Sequence, residues 1–189
     1  MNQVEICNMA LLRLGHDRTI ADLEEQSAEA GYLRTFWDST RRTVLRVHAW
    51  NFAVRTVALA ALSETSDEWD YVYSLPAKAL RVLEIVNVYS KAPESRIPYE
   101  IRAKKVYTDQ ESAVLKYVED ISDENLFDSE FVDALAYRLA AEIAGPLTQD
   151  MSRQGRMFEL YRLLIEEAKA GDASESEVQP SVTYLDSRL

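Results

Sequence analysis

Apolar residues repeat at helical spacing near both ends of the chain and at strand spacing in its middle. Val4, Cys7, Leu11 and Leu14 fall on one helical face. Asn2 followed by Glu5 makes a variant capping box in front of them, and Gly15 offers a left-handed stop behind. A first helix over 3–14 is predicted. After the connector HDRTIADLEEQ, Ser27 can cap a second helix, and Tyr32, Phe36, Thr40, Val44 and Val47 share its face. That helix is predicted over 27–48.

The period then changes. VRTVALAAL (54–62) is β-branched and alanine-rich, and WDYVYSL (69–75) alternates aromatic and polar positions; both read as strands. Pro76 closes the second, because proline lacks the donor that a ladder needs. A third strand is expected over 80–88, where strict alternation would put Glu84 on one face with Leu80, Val82, Val86 and Val88. IPYEIR and KKVYT read as a hairpin turning at Ala103–Lys104, and AVLKYV (113–118) as the last strand.

Helical spacing returns after ISDEN. Asp128 or Ser129 can cap a third helix carrying Phe131, Leu135, Leu139 and Ile143, with Gly145-Pro146 as a sharp stop. Thr148 is the expected cap of a fourth helix, with Met157, Leu160, Tyr161, Leu164 and Ile165 on one face and Gly171 at its end. The remainder is polar. The fold class is therefore mainly α with an inserted β module. A four-helix bundle from residues 1–50 and 124–171 carries a small antiparallel sheet or partial barrel from 51–123, followed by a C-terminal arm, 172–189. Each helix has an apolar stripe that needs cover, and the other helices supply it.

Composition narrows the function more than the fold. The net charge is −11, with 6 basic and 13 acidic groups in residues 124–189, so acid concentrates in the last third. No basic stripe of the kind that releases phosphate counterions is visible. One cysteine, Cys7, excludes an internal disulfide and a cysteine-rich metal site. No apolar run approaches the roughly 20 residues that span a bilayer. The first residues lack a signal-peptide layout, and the expectation is a soluble cytoplasmic chain.

Candidate chemistry is thin. His16 and His48 have no second histidine or cysteine at ligand spacing, and each reads as a capping or surface histidine. The five glycines are scattered, so there is no phosphate-binding loop and no nucleophile elbow. Glu84 and Glu142 are the acids a carboxylate-dependent hydrolase would use, but a lone acid on a strand is more often an edge or interface group. No catalytic residue, cofactor or metal is expected. Binding has more support. Ten tyrosines and three tryptophans favour interfaces. The candidate interface residues are Arg41, Arg42 and Arg46 on the second helix, Tyr89, Tyr99 and Tyr107 around the hairpin, and Val182, Tyr184 and Leu185 in the arm. The arginines suit intersubunit or intramolecular ion pairs better than nucleic acid.

Six stretches, in order, resemble a family. They are NMALLRLGHDRTIADLEEQSAEA, TRRTVLRVHAWNFAVR, WDYVYSLPAKALRVL, YEIRAKKVYTD, AVLKYVEDISDENLFDSEF and VDALAYRLAAEIAGPLT, covering about residues 8–150. Their order and spacing are similar to those of head-to-tail connectors of tailed bacteriophages, of the tail tubular protein A type. Ala103 departs from a glycine common in that family at the hairpin turn. The resemblance implies a virion structural protein without catalysis, made in the host cytoplasm and placed at the head–tail junction. It implies a ring, typically of about twelve copies, between the portal protein and a downstream tail protein. Genome DNA would pass through the lumen without sequence-specific binding, and no membrane is involved. A monomeric helical module that binds a protein through its sheet is the alternative expectation.

Overall fold

The structure is a computed structural model that describes residues 1–87 and 95–175, with side chains described to Gly171. Tyr89, Val182, Tyr184 and Leu185 lie outside the described residues. Four helices frame the chain: α1 (Gln3–Arg13), α2 (Ala28–Val47), α3 (Ser129–Thr148) and α4 (Met151–Glu175). Between α2 and α3 run β1 (Val54–Ala58), β2 (Tyr71–Ser74), β3 (Ala79–Ile85), β4 (Glu100–Arg102), β5 (Lys105–Thr108) and β6 (Val114–Glu119).

Local chemistry sets most helix ends. Asn2 and Glu5 form a reciprocal capping box on α1. At its other end Gly15 is left-handed (φ 76°), and the bonds Gly15 N–H to Leu12 O and His16 N–H to Leu11 O complete a Schellman motif. Ser27 caps α2 through the Ala30 amide, and Asp128 caps α3 through the Phe131 amide.

Gly145-Pro146 does not stop α3. Proline forfeits one helical hydrogen bond, but Leu147 still packs on the core, and the helix runs on to a left-handed Gln149 (φ 53°). Thr148 does not cap α4 either. Its hydroxyl donates back to Ala144 O, while the Asp150 carboxylate accepts from the Ser152 and Arg153 amides. Nor does Gly171 end α4, which continues to Glu175.

α3 is the hub and touches each of the other helices. Ten of its residues are buried, among them Phe131, Leu135, Leu139 and Ile143. α1 contributes Ile6, Cys7, Ala10 and Leu11; α2 Leu33, Trp37, Val44 and Leu45; α4 Met157, Tyr161, Ile165 and Ala168.

The fold is mainly α with an inserted antiparallel β module, as expected, and among the described residues that module comprises two three-stranded sheets. The inner sheet has the order β1-β6-β3 and the outer sheet β2-β5-β4. The run expected as one strand over 54–62 is shared between them. Val54–Ala58 pairs with β6, and the chain then crosses so that Ala61 bridges to Tyr73 of β2. Two register shifts in β3 also change its faces. Leu80 and Leu83 pack on the helical core, whereas Ala79, Val82 and Ile85 belong to a second core between the sheets. Strict alternation through Glu84 is therefore not realised, because each bulge turns the following side chain to the other face. Glu84 is half-exposed and pairs with Lys116 at 3.4 Å.

Candidate functional site

Charged side chains bridge the joint between bundle and β module. α2 ends beside the inner sheet, and its last turns carry three of the arginines singled out above. Arg41 is 3 % exposed. Its Nη1 donates to Asp120 Oδ1 at 2.6 Å and to the Ile121 carbonyl, and its Nη2 reaches Asp38 at 3.4 Å. Arg42, on the solvent side, donates through Nε to the other Asp120 oxygen at 2.9 Å. Asp120 lies one residue beyond β6, and its amide is bonded to Lys78 O just before β3. Asp120 thus links the two arginines of α2, through its carboxylate, to the end of β6 and, through its amide, to the residue before β3.

Arg46 extends the seam by one turn. It donates to Leu80 O at 2.7 Å, and Arg81 answers from β3 with bonds to Arg46 O and Val47 O. All three arginines are thus engaged within the chain. The aromatics next to this seam fill its interior. Phe131, at the start of α3, meets Trp50, Phe52 and Phe127 edge-on at ring distances of 5.3, 5.1 and 4.7 Å. The Trp50 indole N–H donates to Val44 O, so the chain leaving α2 is pinned where it enters the module.

Tyr107 lies in the outer sheet, and Tyr99 packs on the core between the sheets. Tyr107 of β5 is half-buried, faces Glu100 and Val72 across the outer sheet and lies under the Arg102 guanidinium at 5.5 Å. Arg102 in turn pairs with Glu68 and Glu100. The Glu100 carboxyl is held below its ordinary range, first by Arg102 and then by a bond from Trp69. Tyr99 is half-buried, its hydroxyl 3.5 Å from Leu83 O, in a recess of about 230 Å³ with Arg96 and Ile97. Neither tyrosine adjoins the α2 arginines; the candidate interface divides between the joint and the outer sheet.

The histidines are structural. His16 Nε2 lies 2.9 Å from Glu29 Oε1, in the first turn of α2. His48 is buried as the C-cap of α2, edge-on to Trp50 at 4.8 Å, and is not a surface group. The Cys7 thiol is pushed up to about 12 by burial. Among the described residues no group of three or more His, Cys, Asp or Glu could hold a metal, and no helix is long and apolar enough to cross a membrane. Glu142 is bonded by Arg138, which stacks over Phe158 and Tyr161 at 4.7 and 5.5 Å. That cluster borders an open groove between α3 and α4 of about 370 Å³, reached by Met151, Gly155 and Phe158.

Sequence reasoning found the arginines but missed their acceptor. Asp120 lies in a stretch, EDISDEN, that reads as an ordinary acidic linker. A signal was present: an acid directly after a strand is well placed to meet cations on a helix packed over that sheet. Comparison with known proteins adds nothing to these assignments. No family model matches the chain, and no curated protein matches it.

Proposed function

We propose that this chain is a virion structural subunit that joins a portal ring to a tail, as a connector of the tail tubular protein A type. The observation that supports this is the ordered set of motifs over about residues 8–150, taken together with where they fall in the fold. TRRTVLRVHAWNFAVR spans the arginine seam, Trp50 and the entry to β1. WDYVYSLPAKALRVL forms β2, the turn and most of β3, and YEIRAKKVYTD forms the β4–β5 hairpin. VDALAYRLAAEIAGPLT is the hub helix α3. Four of the six resembling stretches thus fall on the joint, the module and the hub helix, while the other two also take in the α1–α2 connector and the segment between β6 and α3.

In this reading the subunit has two differently built ends. The bundle presents helix faces and the module presents sheet edges, which lets a ring meet a portal on one side and a tail on the other. Such a ring is made of heterologous contacts repeated around an axis, so two different patches of the subunit meet at every junction. Genome DNA crosses the lumen without being read.

The test is to mix the purified chain with the portal protein of the same genome and image the product by electron microscopy. Closed rings stacked coaxially on the portal are expected. A well-assembled portal that leaves this chain monomeric would reject the connector role and favour a monomeric binding module that uses its outer sheet.

A further inference from the structure

We draw no further inference here: the strongest candidate, the open groove between α3 and α4 where the Arg138–Glu142 pair lies beside Met151, Gly155 and Phe158, is an unpartnered apolar face, and nothing in the structure shows what covers it.

Discussion

Arg41 and Arg42 share one acceptor, Asp120, from opposite sides of the solvent boundary. Arg41 is sealed, while the Arg42 side chain is 55 % exposed. The two bonds are of similar length, yet their energetic weight differs. Losing Arg41 leaves the Ile121 carbonyl and one Asp120 oxygen without their donor, at a cost of about 1–3 kcal/mol, although Arg42 still holds Asp120; an exposed pair contributes roughly 0–1 kcal/mol. Arg41→Met is therefore expected to lower stability by about 2 kcal/mol. Arg42→Ala should fall within about 1 kcal/mol of the parent. Urea unfolding at an unchanged slope reads both directly, and equal losses from the two variants would refute the buried role of Arg41.

Glu29 makes a second prediction at this scale. Its carboxyl is held below the ordinary carboxylate range by its own backbone amide first and by the His16 bond second, against the opposing effect of burial. A folded-state value below the unfolded one stabilises the protein at pH above the unfolded value of about 4.3. That contribution is lost as pH falls through the folded value. The parent should therefore lose stability on acidification below about pH 4.3, and Glu29→Gln should be less stable at neutral pH with a shallower slope in that acid window. Parallel pH–stability curves for the two proteins would show that Glu29 contributes nothing to the acid transition.

Among the elements, the hairpin between β4 and β5 is the least comfortable. Its two turn residues, Ala103 and Lys104, both have positive φ, 47° and 61°. Two-residue hairpins ask for this because mirror-image turns match the twist of the strands, and the usual residues are Asn-Gly or Asp-Gly. Alanine in that conformation costs about 1–2 kcal/mol relative to glycine. Part of this is offset because glycine loses more chain entropy on folding. Ala103→Gly is expected to raise stability by about 0.5–1 kcal/mol, seen as a higher thermal midpoint. A lowered midpoint would show that the turn is not strained. The gain should leave the rest of the outer sheet untouched, since Ala103 is exposed and its side chain has no packing role.

Elements also show where the fold was legible. The caps of the first three helices were, because Asn2–Glu5, Gly15, Ser27 and Asp128 act within a few residues of themselves, whereas the cap of α4 is Asp150 and not the expected Thr148. The stops at Pro146 and Gly171 were not, because local propensity lost to packing and continuity. Leu147 keeps the end of α3 on the core, and a glycine in an exposed helix interior costs only about 1 kcal/mol. The division of 54–62 between two sheets and the bulges of β3 were equally hidden. Both depend on which strand lies alongside, a long-range fact that hydrophobic alternation does not carry. Of the candidate residues, the arginines stood out by their spacing on α2, and Asp120 emerged only when the sheet was folded against that helix.

For the whole molecule, the acid of the last third is less free than its tally implies. Asp128 and Asp150 cap helices, Asp133 pairs with Arg13, and Glu142 with Arg138. Charge committed to pairs offers less repulsion to a passing polyanion, so in the proposed ring a lumen that repels DNA would have to draw on other acids, such as Glu159 and Glu167 on the exposed side of α4, since Glu166 there is paired with Lys169 at 2.9 Å.

The same scale decides how the module moves with the bundle. The inner sheet belongs to two cores. Val118 is buried with the helices, along with Ile121 just beyond β6, while Leu115 and Tyr117 on the opposite face of the same strand are buried in the core between the sheets. With the arginine seam added, the end of β6 is tied to α2 by both packing and hydrogen bonds. The outer sheet is held through the smaller core, around Tyr73, Ile85 and Val106, and through the crossing segment, whose Ala60 and Leu62 bond to β2; its edge strand β4 is three residues long. Segments with few buried contacts open at lower free energy than the global transition. Native-state hydrogen exchange should therefore show β6 amides protected to the same extent as those of α3, with β4 and β5 exchanging through a smaller opening. In a connector ring this would leave the outer sheet able to fit a neighbour while the bundle stays intact. If β6 instead exchanges together with β4 and β5, ahead of α3, the seam does not fasten the module, and bundle and sheets are separate units joined by a hinge.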